Sequence, residues 1–259
     1  MKDGGRILAK LEIKSIKKSF YKNNVKNTVL KDIRFDVFKG EILCVLGSSG
    51  CGKSTLLRQI AGFDTPDVGE ILLDGQKIMK PSVKCIMIFQ DFQQLFPWKT
   101  VLENVMFPLK VLKIGATFEE RKTVAKNYLS MVQLDGFDNY YPNQLSGGMK
   151  QKAAIARALA LKPEVLLMDE PFGSLDAQTR NTFQNILLKI WKSTATTIVF
   201  VTHDIQEAIL LSDRILILDI EGKNIKNMIS NTLPRPRSPG DPGFSEMWNK
   251  IYDSISHIE

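Results

Sequence analysis

Little in this chain of 259 residues invites disulfide or metal chemistry. Its three cysteines, Cys44, Cys51 and Cys85, are odd in number and show no metal-ligand spacing. No disulfide is expected: Cys44 and Cys85 read as small buried strand residues, and Cys51 as a loop residue. No stretch approaches the ~18 uninterrupted apolar residues of a membrane span, and the N-terminus lacks the apolar core of a signal peptide. The expected location is therefore cytoplasmic. There is no internal repeat of solenoid period. Acidic residues fall short of basic ones, 28 against 35, for a formal charge of +7. That excess suits anionic partners such as nucleotide, nucleic acid or an anionic membrane face, or leaves a solvated basic face, and it is crowded between Lys2 and Arg34. The length allows one α/β domain, or one with an inserted subdomain.

What is present is a phosphate loop. Gly47, Ser48, Ser49, Gly50, Cys51, Gly52, Lys53, Ser54 and Thr55 directly follow the apolar run 42–46. The glycines let successive backbone N–H groups turn inward around β- and γ-phosphates. Lys53 adds a point charge, and the Ser54 hydroxyl can ligate Mg²⁺ at the start of the following helix. Leu56, Leu57 and Ile60 give that helix an apolar face that stops near Gly62.

Around this loop the patterning is mixed. Residues 11–16 and 33–38 alternate with period two and predict a small antiparallel sheet; 69–73, ending in Asp74-Gly75, predicts a strand entering a hairpin. A further strand is expected over 83–89, ending at Gln90. From Phe92 to Tyr141 the pattern turns helical, with Thr100 and Thr117 each placed three residues before a glutamate as helix caps. The α/β alternation resumes with a helix over about 149–161 and strands at 165–169, 197–201 and 215–218, which implies a parallel sheet covered by helices. Residues 233–243, rich in Pro, Gly and Arg, read as a linker. Phe244, Met247, Trp248, Ile251, Tyr252 and Ile255 then recur at helical spacing. This last helix either docks on its own domain, the favoured reading, or faces a partner or membrane.

Hydrolysis of a triphosphate needs a second carboxylate beside the metal and a group that orients water. The run 165–169 ends in Asp169 and Glu170, where Asp169 would hold Mg²⁺ through its shell and Glu170 would accept a proton from water. General-base help of this kind is typically worth about 10² to 10⁴ in rate, or roughly 3–5 kcal/mol of barrier. Leu145-Ser-Gly-Gly-Met-Lys-Gln-Lys152 opens a helix, so its glycines present a second set of N-terminal backbone donors to an anion. His203, after the apolar run 197–202, would emerge at the carboxyl end of a strand, where parallel sheets place their ligands.

With these motifs in order over about 11–220, the chain resembles the nucleotide-binding subunit of an ATP-binding cassette (ABC) transporter. The resemblance implies a P-loop NTPase of RecA-like α/β fold, with a parallel sheet core, an N-terminal antiparallel β subdomain and an inserted α-helical subdomain. It implies an ATPase domain over 7–230 with the helical insert at 92–148, a linker at 231–243 and a C-terminal helix at 244–259. Residues 47–55 become the Walker A loop, Gln90 the glutamine near Mg²⁺ and the water, and Ser146, Gly147 and Gly148 the signature, followed by Met149. Asp169 and Glu170 become the Walker B pair, Ser174-Leu175-Asp176 the D-loop and His203 the switch histidine that contacts the γ-phosphate. Phe20 becomes the aromatic that stacks on adenine, with Tyr21 as the alternative.

The implied cofactors are ATP and Mg²⁺, and the implied partner is a second copy, two ATP molecules being sandwiched head to tail. Met149 and Lys152 stand where many cassettes have Gln and Arg, and Met149 cannot supply an amide hydrogen bond. Methionine there, the stretch Phe89-Gln-Asp-Phe-Gln-Gln-Leu-Phe-Pro-Trp98 and Leu233-Pro-Arg-Pro-Arg237 all resemble the subgroup importing nitrate, sulfonates, taurine and related solutes. Hydrolysis would then drive uptake through a separate transmembrane permease, fed by a solute-binding protein, with this subunit peripheral on the inner face of the membrane. The rival readings are an exporter ATPase, a non-hydrolysing ATP-gated module, and a soluble cassette acting on nucleic acid or the ribosome. The short interval between Gln90 and Ser146 leaves no room for a long coiled coil and argues against the last.

Overall fold

Two β-sheets face one another across a single helix. The computed structural model describes residues 9–90, 94–173, 175–219 and 221–256. The larger sheet has six strands in the order β10 (Ile225–Ser230), β9 (Arg214–Leu218), β3 (Ile42–Leu46), β8 (Thr197–Thr202), β7 (Val165–Asp169) and β6 (Cys85–Ile88). All neighbouring pairs are parallel except β10 with β9. Every residue of β3, β7 and β8 is buried. That explains why these segments read as unbroken apolar runs, the signature of strands covered on both faces. The smaller sheet is antiparallel, in the order β2 (Val25–Phe38), β1 (Ala9–Lys22), β4 (Val68–Leu73) and β5 (Gln76–Lys77).

Alternate residues of the large sheet enter different cores. Leu43, Val45, Leu167, Val199 and Val201 join Leu56, Leu57 and Ile60 of α1 (Lys53–Ile60) and the inner face of the antiparallel sheet. Cys44, Leu46, Leu166, Met168 and Phe200 join the second core with α2 (Val101–Val111), α3 (Phe118–Met131), α4 (Gly147–Leu159), α5 (Ala177–Thr194), α6 (Ile205–Leu211) and α7 (Phe244–Ser256). Lys10 of β1 fastens the two sheets together, pairing with Asp74 in the β4–β5 turn and with Glu164 just before β7.

The expected caps are made. Thr100 accepts from the Glu103 N–H while the Glu103 carboxylate accepts from the Thr100 N–H. Thr117 accepts from the Glu120 N–H, but Glu120 reaches one residue further back, to the Ala116 N–H. Phe92, where the helical pattern was expected to begin, lies outside the described residues.

Four expectations need correction. β1 and β2 run to 14 residues each, because register shifts between Ile13 and Ser19 break the period-two pattern that marked only their inner halves. The strand expected over 83–89 is confined to Cys85–Ile88, where a tight turn puts the Cys85 N–H on the Ser82 carbonyl and leaves Val83 exposed. The expected α4 is shifted two residues earlier, since Ser146 caps it at Gly147, and β10 was not expected at all.

The fourth concerns the segment read as a linker, which is a fixed strap. Arg237 donates to the Ile209 and Ser212 carbonyls at 2.8 and 2.7 Å, Asn231 donates to the same two carbonyls, and the Arg235 guanidinium lies 4.6 Å from the Trp191 ring centroid. These donors cap the C-terminal end of α6, and desolvation lowers Arg237 to about 10. α7 follows and docks on α6 and β10, with Phe244 and Ile251 buried, Met247, Trp248 and Ile255 half-buried against the core, and Tyr252 exposed.

Candidate functional site

The site is assembled at the carboxyl ends of four adjacent parallel strands. β3 ends at Leu46 and the chain turns through residues 47–52 into α1, whose N-cap is Gly52 at φ +102° with no side-chain cap. A Cβ at Gly52 would sit 2.8 Å from the Leu30 side chain and close to Val29, so both the backbone angle and the crowding require glycine. With no side chain answering them, the first N–H groups of α1 remain available to an anion. Lys53 is buried, and its ammonium folds back onto its own loop, donating to the carbonyls of Gly47 at 2.7 Å and Ser48 at 2.9 Å. Ser48, Ser49 and Gly50 are exposed and Thr55 half-buried, whereas Cys51 belongs to the core beneath the loop, its thiol pushed up by desolvation.

β7 delivers two carboxylates of different character. Asp169, its last residue, is buried and accepts from the Ser54 hydroxyl at 3.0 Å. Desolvation raises its pKa; the Ser54 bond opposes this, and the Glu170 charge adds to it. Glu170 follows with φ +43°, a left-handed backbone uncommon for a residue with a side chain, and its N–H donates to the Val201 carbonyl of β8. That twist turns the Glu170 carboxylate toward three predicted partners. Gln90, two residues past β6, donates to Oε2 at 3.2 Å; His203 Nδ1, just past β8, lies 3.4 Å from Oε1; Lys53 Nζ lies 4.0 Å from the same oxygen.

Other predicted residues are elsewhere. Ser146 caps α4 by accepting from the Met149 N–H, with Ser146 and Gly147 exposed and Met149 half-buried. Gly148 is buried where α4 meets α5: a Cβ there would lie 2.6 Å from Thr179 Cγ2. Asp176 caps α5, accepting from the N–H groups of Gln178 and Thr179, and the Thr179 side chain, helped by those backbone bonds, holds its carboxyl below the usual range. Phe20 and Tyr21 are exposed on the β1–β2 hairpin, with Lys18 Nζ 5.4 Å from the Phe20 centroid. Among the described residues no hydrogen bond or ion pair joins 146–149, Phe20 or Asp176 to the loop at 47–55. Ser174 lies outside the described residues. Reading by motif passed over Thr202, Asp204 and Glu207 around the His203 corner, although Asp204-Ile-Gln-Glu207 carries a capping spacing that marks the start of α6.

The model for the family described as ABC transporter matches residues 30–173. The chain belongs to the ABC transporter family. An ABC transporter ATP-binding protein of Methanocaldococcus jannaschii, itself uncharacterized, is 46% identical over 255 residues, covering 98% of this chain and 94% of the relative. An aliphatic sulfonates import ATP-binding protein of Bacillus cereus is 46% identical over 247 residues, covering 95% and 96%; a nitrate import ATP-binding protein of Synechocystis is 44% identical over 224 residues, covering 86% and 83%. Among solved structures, a dimeric post-hydrolysis state of an ATP-binding cassette bound to ADP and Pi superposes with a TM-score of 0.76 at 34% identity, covering 86% of this chain and all of that one. As in other ABC cassettes, the fold is a P-loop NTPase core with an antiparallel β subdomain and an α-helical insert.

Proposed function

We propose that this chain is the ATP-hydrolysing subunit of an ABC importer. The observation that carries the reading is the convergence of Lys53, Gln90 and His203 on Glu170, beside the Ser54–Asp169 pair. The open N-terminus of α1 and the glycines of 47–52 suit a triphosphate, and a hydroxyl bonded to a carboxylate is the hard-oxygen pair that fits Mg²⁺. Ser54, Asp169 and Gln90 would hold that ion, which neutralises phosphate charge when bound.

The residues then divide the work. Lys53 exchanges its two carbonyl partners for phosphate oxygens, trading neutral acceptors for charged ones. Glu170 takes the proton of the attacking water, while His203 and Gln90 hold the carboxylate and the water in line. Phe20 stacks on the adenine. Ser146, Gly147, Gly148 and Met149 present the N-terminus of α4 to the nucleotide of a second copy, and Asp176 with its D-loop neighbours lies at that interface. The relatives named for sulfonate and nitrate import, and the dimeric cassettes, support an importer acting as a pair. No helix among the described residues is long and apolar enough to cross a membrane, so the reading assigns the path to a separate permease, with a solute-binding protein outside and this subunit peripheral on the inner face. A groove of about 530 Å³ lined by Met106, Phe107, Val111 and Phe118, together with the charged Lys99, Glu103, Lys110 and Arg121, gives the permease a largely apolar seat.

The test is reconstitution of the chain with its permease and binding protein in vesicles. ATP-driven uptake of a sulfonate, nitrate or a similar small anion is expected. Phosphate release that the permease never stimulates, together with salt-sensitive retention on nucleic acid, would overturn the reading.

A further inference from the structure

Arg180, in the first turn of α5, reaches across to the corner between β8 and α6. Its Nη1 lies 3.5 Å from Asp204 Oδ2 and its Nε 3.8 Å from Glu207 Oε1, while Nη2 donates to the Leu175 carbonyl at 3.3 Å. The Glu207 side chain is only 4% exposed, and its other oxygen accepts from the Thr202 hydroxyl at 2.6 Å. That hydroxyl in turn accepts from the Asp204 N–H at 3.1 Å. His203 therefore sits between two residues held by one network, and the network ends on the backbone just before α5.

Two features make this more than packing. The His203 side chain is 62% exposed, with 3.4 Å to Glu170 as its close polar approach, so the position of its ring depends on the backbone that carries it. Arg180 Nε is buried without a hydrogen-bond partner, with Glu207 Oε1 just outside bonding range at 3.8 Å. A buried N–H left unpaired is costly, and charges attract more strongly where water is excluded, so a small closing movement of the corner is favoured.

We propose that Arg180 is a positioning residue for ATP hydrolysis, a bracket that holds the His203 corner in register with the backbone at Leu175. A displacement at either end is transmitted to the other through Glu207 and Asp204. The bracket joins the strand end that presents His203 to the segment leading into Asp176, two places that motif reading treats as separate. The inference rests on the ATPase reading for its consequence, though not for its geometry.

Steady-state hydrolysis by the full chain tests the consequence. Arg180→Ala is expected to lower kcat about ten- to a hundredfold, the scale of a small misplacement remote from the chemistry. KM for ATP should stay within about threefold, because the interaction serves the transition state more than binding. Arg180→Lys should recover part of the rate, keeping the charge without the planar fork. Adding Glu207→Gln to Arg180→Ala should cost little more than either change alone. An unchanged kcat in Arg180→Ala, or fully additive losses, would overturn the bracket. If Arg180→Ala does not fold, Arg180→Lys and Thr202→Val make the same comparison.

A wild-type chain with no turnover would count against the ATPase reading, and the bracket is then read without nucleotide. Amide hydrogen exchange on the folded chain should quicken at Gly173 and Leu175 when Glu207, on α6, is changed to Gln. Exchange that changes only along α6 would contradict it.

Discussion

Two neighbouring carboxylates at the end of β7 meet different surroundings, and Glu207 a third. Asp169 is buried on a hydroxyl and Glu170 is twisted outward among donors, whereas Glu207 is enclosed. Burial pushes Glu207 up to about 7, opposed by the Thr202 hydroxyl, with the Asp204 charge raising it further and Arg180 and His203 lowering it. Because the folded value lies above the ordinary one near 4.5, folded protein binds this proton more tightly than unfolded chain. Glu207 thus favours folding at low pH, and its contribution is lost as pH rises from about 4.5 through about 7, a span worth about 3 kcal/mol. Unfolding free energies measured by denaturant across that range should fall with rising pH in the parent and flatten in Glu207→Gln. Parallel curves for the two would contradict the assignment. Lys53, Ser54, Gln90, Asp169, Glu170 and His203 were readable from sequence because each belongs to a short motif beside an apolar strand. Arg180 and Glu207 were not, because their relation exists only once α5 and α6 are folded side by side.

Element boundaries follow the same division. β3, β7 and β8 announce themselves as apolar runs because both faces are covered; β10 does not, because it is an edge strand with only Ile229 fully buried among its six residues. The proline- and arginine-rich strap looked like a linker because its order comes from guanidinium bonds to α6 carbonyls, which no local pattern encodes. Gly148 belongs to this scale too. It lets α4 pass against the first turn of α5, so Gly148→Ala should push a methyl into Thr179 and destabilise the chain by about 1–3 kcal/mol. Pairing it with Thr179→Ser, which removes the opposing methyl, should restore most of the loss. Melting temperatures of the two single variants and the double variant check this, and no rescue would mean that the strain lies elsewhere.

Across the whole molecule, one sheet serves two cores and gathers Lys53, Ser54, Gln90, Asp169, Glu170 and His203 at its carboxyl edge. Among the described residues no hydrogen bond or ion pair links the α4 N-terminus to the phosphate loop within one chain, and the proposed reading has a second copy complete the site. Glu170→Gln tests that account most directly, since the amide still receives hydrogen bonds but cannot take a proton from water. Phosphate release and the mass of the particle in solution should be measured together, with and without MgATP. The account predicts ATP binding, a rate lower by about 10² or more, and an ATP-dependent dimer that persists. Hydrolysis at the parental rate, or a monomer at saturating ATP, would contradict it.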